Sequence, residues 1–194
     1  AIFSANCIQA AKNCRKDAKK IFYCHTPIRN AYDLYDTYIA RMPWWKAFAY
    51  KWFCKFIRFN YERDLENIDI IVANSKNIQA RIKKYLNKDS VVIYPPIDIN
   101  KFQWIEQGDY YLSFARVDLV KRVTEIAEAF KQMPEKKLVI ASTGTEVERL
   151  KTIIADAPNI EYVGRVEDKE LADLVGRCIA TVYIPQDEDF GMSP

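Results

Sequence analysis

Tyr110-Tyr111-Leu112-Ser113-Phe114-Ala115-Arg116-Val117-Asp118-Leu119-Val120-Lys121-Arg122-Val123-Thr124-Glu125-Ile126-Ala127-Glu128-Ala129-Phe130 is the stretch that decides the fold. Its front, Tyr110 to Ala115, is a mostly apolar run of strand length. Arg122 to Met133 is amphipathic, with Ile126, Ala127 and Phe130 on one helical face. The alternation then repeats. Lys137 to Ser142 reads as a strand, and Glu146 to Ala155 as a helix with Val147, Leu150 and Ile154 inward. Ile160 to Val163 is a strand, Lys169 to Arg177 a helix, and Ile179 to Ile184 a fourth strand. Strands alternating with helices at this spacing predict right-handed βαβ units, a parallel sheet and the α/β class.

Working back toward the front, the pattern is less regular. Lys20 to His25 and Asp69 to Ala73 read as strands, as does Ser90 to Tyr94. Asn30 to Ala40 reads as a helix, and Trp44 to Arg63 as a longer one opening after Pro43. Asn74-Ser75 caps a helix running to about Leu86. Pro95-Pro96 stops regular structure. An extended polar connection, 97–109, then divides a first domain, 1–96, from a second, 110–194. No internal repeat or low-complexity segment is visible.

Composition narrows the class. With 49 % hydrophobic and 28 % charged residues, the 194-residue chain has the balance of a folded soluble protein, which argues against disorder. No apolar run approaches the length needed to cross a bilayer, and the start does not read as a signal peptide. The cysteines Cys7, Cys14, Cys24, Cys54 and Cys178 are odd in number and form no Cys-x-x-Cys pair, so the expectation is reduced thiols in a cytoplasmic protein. One histidine excludes a His-rich metal centre. The net charge of +3 is uneven: residues 1–96 carry 17 Lys/Arg against 8 Asp/Glu, a net of +9, and residues 97–194 carry 12 against 18, a net of −6. Only the front half suits an anionic surface.

Candidate chemistry gathers at the carboxyl ends of the expected strands, where ligands of open α/β sheets bind. Arg116 and Lys121 flank a strand-to-helix turn. Two cations and a helix N-terminus suit a diphosphate; exposed basic residues on a loop are the plain alternative. Glu188 and Asp189 follow the last strand, where carboxylates accept sugar hydroxyls, and Gly191 lets the Phe190, Gly191 and Met192 amides approach a ligand; an acidic surface turn is the alternative. His25 ends a strand and reads equally as a structural group or as a donor to a sugar. Arg29, on the same loop, could meet a phosphate or simply be solvated. Gly144, in Ser142-Thr143-Gly144-Thr145, resembles a phosphate-loop turn without the P-loop spacing, or permits a tight turn. In the helix after Pro43, Lys51, Lys55 and Arg58 cluster, and Trp45, Phe48, Trp52, Phe56 and Phe59 form a stripe. That suits an anionic membrane surface met by Trp44, Lys51, Trp52, Lys55 and Arg58, or a helix whose aromatics enter the core. Single-stranded nucleic acid is disfavoured by the acidic back half.

Together these pieces resemble a known family. Arg116-x-x-x-x-Lys121, then Leu138 to Gly144, then Tyr162-Val163-Gly164-Arg165-Val166, then Glu188-Asp189-Phe190-Gly191 are similar to the donor-binding domain of retaining GT-B glycosyltransferases, glycosyltransferase family 4. Tyr23-Cys24-His25-Thr26-Pro27-x-Arg29, Ala73-Asn74-Ser75 and Val92-Ile93-Tyr94-Pro95-Pro96-Ile97-Asp98 look like its mannosyltransferases of surface polysaccharide assembly. The resemblance implies two Rossmann-like parallel-sheet domains, both incomplete. It implies that Arg116 and Lys121 hold the diphosphate of a nucleotide sugar without a metal, and that Glu188 contacts the sugar. The Phe190–Met192 amides and Asp189 would reach sugar or phosphate, Gly144 would lie near the phosphates, and Gly164, Arg165 and Val166 would lie near the base. His25 would approach the transferred sugar. GDP-mannose is the expected donor substrate and a lipid-linked saccharide the expected acceptor, with no cofactor and no metal. The protein is expected to be cytoplasmic, at the inner face of a membrane. The family's second glutamate would fall at position 196, and its early glycine-rich loop has no counterpart. The expectation is therefore an enzyme fragment with little or no activity. A nucleotide- or membrane-binding module and an epimerase of the same shape are the alternatives.

Overall fold

The structure, a computed structural model, describes residues 1–5, 7–98, 100–186 and 188–191. They form two compact units, Ala1–Pro96 and Ile97–Pro194, each built on its own parallel sheet.

In the first unit β1 (Ile2–Ser4), β2 (Ile21–Cys24), β3 (Ile70–Ala73) and β4 (Val91–Val92) lie side by side in chain order. The two central strands are near-continuous apolar runs because a parallel sheet is covered on both faces. Phe22 and Cys24 are fully buried. A 3-10 helix (Ile8–Asn13), α1 (Tyr35–Ile39) and α2 (Trp44–Leu65) fill the first two crossovers, and α3 (Lys76–Leu86) the third. α3 starts where Ser75 Oγ accepts the Ile78 N–H at 3.1 Å and ends at Asn87, which adopts the left-handed conformation with φ +50°. Ile78 and Ile82, one turn apart, are wholly buried, each contributing roughly 2–3 kcal/mol of burial free energy.

The second unit repeats strand and helix: β5 (Tyr110–Ser113), α4 (Val123–Lys131), β6 (Lys137–Ile140), α5 (Val147–Ile154), β7 (Ile160–Tyr162) and α6 (Asp168–Arg177). The sheet order is β5-β6-β7, all parallel. Residues alternate between the faces. Leu138 and Ile140 meet Val123, Ile126, Phe130 and Leu150 of α4 and α5, while Val139 and Ala141 meet Leu174 and Val175 of α6. The approach to β5 is tied to the end of α6: Ile105 N–H donates to Gly176 O and Gly108 N–H to Arg177 O, both at 2.8 Å.

Three expected elements differ. Ile179 to Ile184 is not a strand of the sheet. It runs along the outer edge of β5, held by Ile179 N–H to Tyr110 O (2.7 Å), Leu112 N–H to Ala180 O (3.0 Å) and Val182 N–H to Leu112 O (2.8 Å). Paired on one side only among the described residues, it leaves the sheet after Val182, and Gln186 N–H reaches Val120 O at 2.7 Å. Asn30 to Ala40 is helical only over Tyr35–Ile39, because residues 29–34 form turns pinned by an Arg29–Asp33 ion pair. Ser90 to Tyr94 shortens to Val91–Val92. β1 and the 3-10 helix are too short to leave a periodic signal.

Candidate active site

The turn from β5 into α4 is organised by Asp118, a buried carboxylate. Its Oδ1 accepts the Lys121 main-chain N–H at 2.9 Å and its Oδ2 accepts Arg116 Nε at 2.6 Å. The main chain closes the same turn, with Lys121 and Arg122 N–H both on Asp118 O at 3.2 Å. Arg122 then enters α4 in the left-handed region, with φ +55° and no side-chain cap on the first amides. The positive end of the helix dipole thus stands beside Lys121.

Gly144 explains how the neighbouring loop fits. A Cβ there would lie 2.1 Å from Val117 O, so the β6–α5 loop can close onto the turn only with glycine at this position. Val117 N–H donates to Thr143 O at 3.1 Å, and Glu146 N–H to Val117 O at 3.0 Å. Of its two readings, the tight approach of backbone to backbone accounts for the residue.

Lys121 is the hub. Its Nζ lies 2.5 Å from Glu188 Oε2 and 2.8 Å from the Tyr183 hydroxyl, above the Tyr183 ring at 5.2 Å. The Tyr183 hydroxyl also donates to Glu188 Oε2. The Lys121 and Glu188 side chains are about one quarter exposed, at 24 % and 26 %. Burial disfavours both charges, but the hydrogen bonds and the pairing outweigh it. Lys121 is held above the usual lysine range and Glu188 below the usual carboxylate range. Burial, with the Glu188 carboxylate beside it, pushes the Tyr183 phenol up. Asp189 N–H reaches back to Glu188 Oε1 at 3.2 Å, and Gly191 turns the chain with φ +76°. Met192 lies outside the described residues.

The structure therefore brings Arg116, Lys121 and Glu188 to one edge of the second sheet, the carboxyl ends of its strands. Gly164, with φ +75°, and exposed Arg165 leave β7 at that same edge. Val166 does not stand with them: it packs on the cluster of Leu112, Val139 and Ala141. Sequence reasoning passed over Asp118 and Tyr183. An Asp two residues after one cation and three before the next is an Asx-turn signal that could have found Asp118. Tyr183 left no signal, because its role arises from where the edge segment lies.

In the first unit His25 is exposed at the carboxyl end of β2. Its Nε2 is 2.9 Å from Ser4 Oγ, and its ring meets the Tyr23 ring edge-on at 5.1 Å. Nearby Thr26 Oγ1 and Asn74 Oδ1 are buried without a hydrogen-bond partner among the described residues. Arg29 is not solvated: it is drawn inward to Asp33, which also lies 3.4 Å from Arg81.

The aromatic stripe of α2 is not in the core. Cys54, Tyr61 and Leu65 face inward, while Trp45, Phe48, Trp52, Phe56 and Phe59 are exposed together with Trp44, Lys51 and Lys55. Arg58 departs from the expected basic cluster. Its Nε donates to Ala31 O at 2.6 Å, and its guanidinium lies over the Tyr32 and Tyr35 rings, so it is part of the packing. Two grooves are formed elsewhere. One, of about 540 Å³, lies at the amino ends of β5 and β6 beside Asp109, Lys137 and Asn159; the other, of about 490 Å³, lies between the 3-10 helix and α2. Neither is lined by Lys121 or Glu188. Among the described residues no group of three or more His, Cys, Asp or Glu side chains could hold a metal ion, and no helix is long and apolar enough to cross a membrane.

Residues 95–194, just over half of the chain, match the family described as Glycosyl transferases group 1. The chain belongs to this family. The fold of the chain is α/β of the GT-B type, as its solved neighbours show. Sucrose-phosphate synthase from Thermosynechococcus elongatus superposes with a TM-score of 0.71 at 15 % identity, over 98 % of this chain and 52 % of that one. A TarM variant from S. aureus, in complex with fondaparinux, alpha-GlcNAc-glycerol and UDP, gives 0.65 at 18 % identity, over 99 % and 38 %. Anabaena HepE in complex with UDP and glucose gives 0.55 at 14 % identity, over 95 % and 73 %. The chain thus spans about half the length of the sucrose-phosphate synthase and well under half of TarM. No curated protein sequence matches it.

Proposed function

We propose that the chain carries the donor-binding part, and some of the acceptor-binding part, of a retaining family 4 hexosyltransferase. It would move mannose from GDP-mannose to a lipid-linked saccharide. The carrying observation is the Lys121–Glu188 pair, 2.5 Å apart, beside the uncapped N-terminus of α4. The diphosphate lies against Arg116, Lys121 and the first amides of α4. These positive groups stabilise the charge that develops as the nucleoside diphosphate leaves, so no metal is needed for that task. Glu188 accepts sugar hydroxyls, and the amides of Asp189 to Gly191 approach the sugar or phosphate. Gly164 and Arg165 border the base. His25, with Thr26 and Asn74 beside it, serves the saccharide. Attack comes from the face the leaving group departs, with no protein nucleophile. That TarM and HepE were each solved with UDP supports a nucleoside diphosphate in this fold.

The exposed face of α2 supports a place at an anionic membrane. Residues 37–61 carry five cations and no carboxylate, and Trp44, Lys51, Trp52 and Lys55 all point to solvent. The reading is of a cytoplasmic enzyme resting on the inner leaflet.

The test is a transfer assay with GDP-mannose, UDP-glucose, UDP-galactose and UDP-N-acetylglucosamine and a lipid-linked saccharide, the anomer of the product read by NMR. Lys121→Ala is expected to lower kcat by roughly 10²-fold. Because it spans 38 % of TarM and 52 % of the sucrose-phosphate synthase, the 194-residue chain alone is expected to bind donor with little turnover. Isomerised nucleotide sugar without transfer would make the protein an epimerase; binding without chemistry by the longest natural chain would make it a binding module.

A further inference from the structure

We infer that Lys121 and Glu188 exchange partners when donor binds, and that Tyr183 is the positioning residue that bridges the exchange. As a result the site favours an intact nucleotide sugar over the nucleoside diphosphate left after transfer. The inference rests on the reading that Lys121 takes the diphosphate and Glu188 the sugar.

The two groups the donor needs are already engaged with each other. Lys121 Nζ and Glu188 Oε2 are 2.5 Å apart, both about three-quarters buried, so their attraction is less screened than that of a surface pair. A diphosphate that takes Lys121 draws it away from Glu188. The carboxylate then stands beside a new negative charge, having lost a cation. A nucleotide sugar offsets this loss, because its hydroxyls donate to Glu188 as its phosphates accept from Lys121. A nucleoside diphosphate brings the phosphates alone. The pair therefore opposes the product more than the substrate.

Tyr183 links the two groups through the exchange, while the Asp189 N–H stays on Glu188 Oε1. Its hydroxyl accepts from Lys121 Nζ at 2.8 Å while donating to Glu188 Oε2. A phenol can do both at once, so Lys121 and Glu188 can part and each keep a bond to it. The ring stacked under Lys121 holds the ammonium at the sheet edge throughout.

The experiment is calorimetric titration of the full chain with GDP, UDP, GDP-mannose and UDP-glucose at fixed salt, with melting temperature monitored. Glu188→Gln keeps the shape and removes the charge. It should tighten the nucleoside diphosphates by roughly three- to ten-fold and leave the nucleotide sugars unchanged or weaker. Glu188→Asp, which draws the carboxylate back from Lys121, should shift the ratio in the same direction and serves if the Gln variant does not fold. Tyr183→Phe keeps the ring and drops the hydroxyl. It should weaken both ligand types alike, by roughly two- to five-fold, leaving their ratio at the wild-type value. Unchanged or weaker nucleoside diphosphate binding in both Glu188 variants would overturn the exchange. Unaltered affinities in Tyr183→Phe would overturn the bridge. Unaltered nucleotide binding in Lys121→Ala would instead overturn the donor reading beneath them.

Discussion

Single residues set the shape of the carboxyl edge of the second sheet through contacts of ångström size. Asp118 ties the side chain of Arg116 to the main chain of Lys121, so the spacing of the two cations is built and not merely encoded. Asp118→Ala removes the side-chain acceptor shared by Arg116 Nε and the Lys121 N–H, leaving that N–H only the 3.2 Å bond to the main-chain O of residue 118; it should cost about 0.5–1.5 kcal/mol in urea unfolding and raise KM for donor. Gly144→Ala places a methyl against Val117 O, which is backbone and cannot swing away; a loss of about 1–3 kcal/mol and weaker nucleotide binding are expected from the same melts and titrations. The ion pair adds a pH signature. Glu188 titrates lower folded than unfolded, so its stabilisation is present above about pH 4.3 and is lost as pH falls through the folded value below that. Lys121 and Tyr183 titrate higher folded than unfolded, so theirs is present below about pH 10 and is lost as pH rises through the raised values. Urea unfolding of the wild type and Glu188→Gln across pH should show a shallower acid limb in the variant, where the ion pairs of Asp109 and Asp156 remain.

At the scale of elements, end signals and face patterns act separately. α3 is specified at both ends: Ser75→Ala should cost about 1 kcal/mol, and Asn87→Gly should gain up to about 1 kcal/mol by relieving the left-handed Asn. Thermal melts would check both. α2 behaves differently, because apolar residues surround it. Truncating buried Tyr61 to Ala should cost about 3–5 kcal/mol, whereas exposed Trp52→Ala should cost little. Composition could say that α2 is a helix, but it could not say which of its two apolar faces is inside. The same ambiguity hid Arg58, whose charge reads as surface and whose place is between two tyrosine rings and a carbonyl. The segment after α6 reads in the sequence as a full strand from Ile179 to Ile184, whereas its pairing with β5 ends at Val182, since periodicity reports burial and not how far the ladder runs.

Across the whole molecule the two units carry opposite net charge, and this gives the membrane reading its test. Glu substitution of Lys51 and Lys55 should abolish sedimentation with anionic liposomes, while Glu substitution of Lys136 and Lys151 in the acidic unit should not. The parallel α/β class, most helices, the strand-end positions of Arg116 and His25 and the helix-start position of Lys121 followed from the sequence alone, because apolar periodicity and strand-helix order are local properties that burial imposes on the chain. What only tertiary structure decided was which of these groups touch. Lys121 and Glu188 are 67 positions apart, and Tyr183 joins them only because the segment 179–182 lies along β5 and delivers the following loop above α4. Contacts across that separation depend on how edges and loops pack in three dimensions, and no spacing along the chain records them.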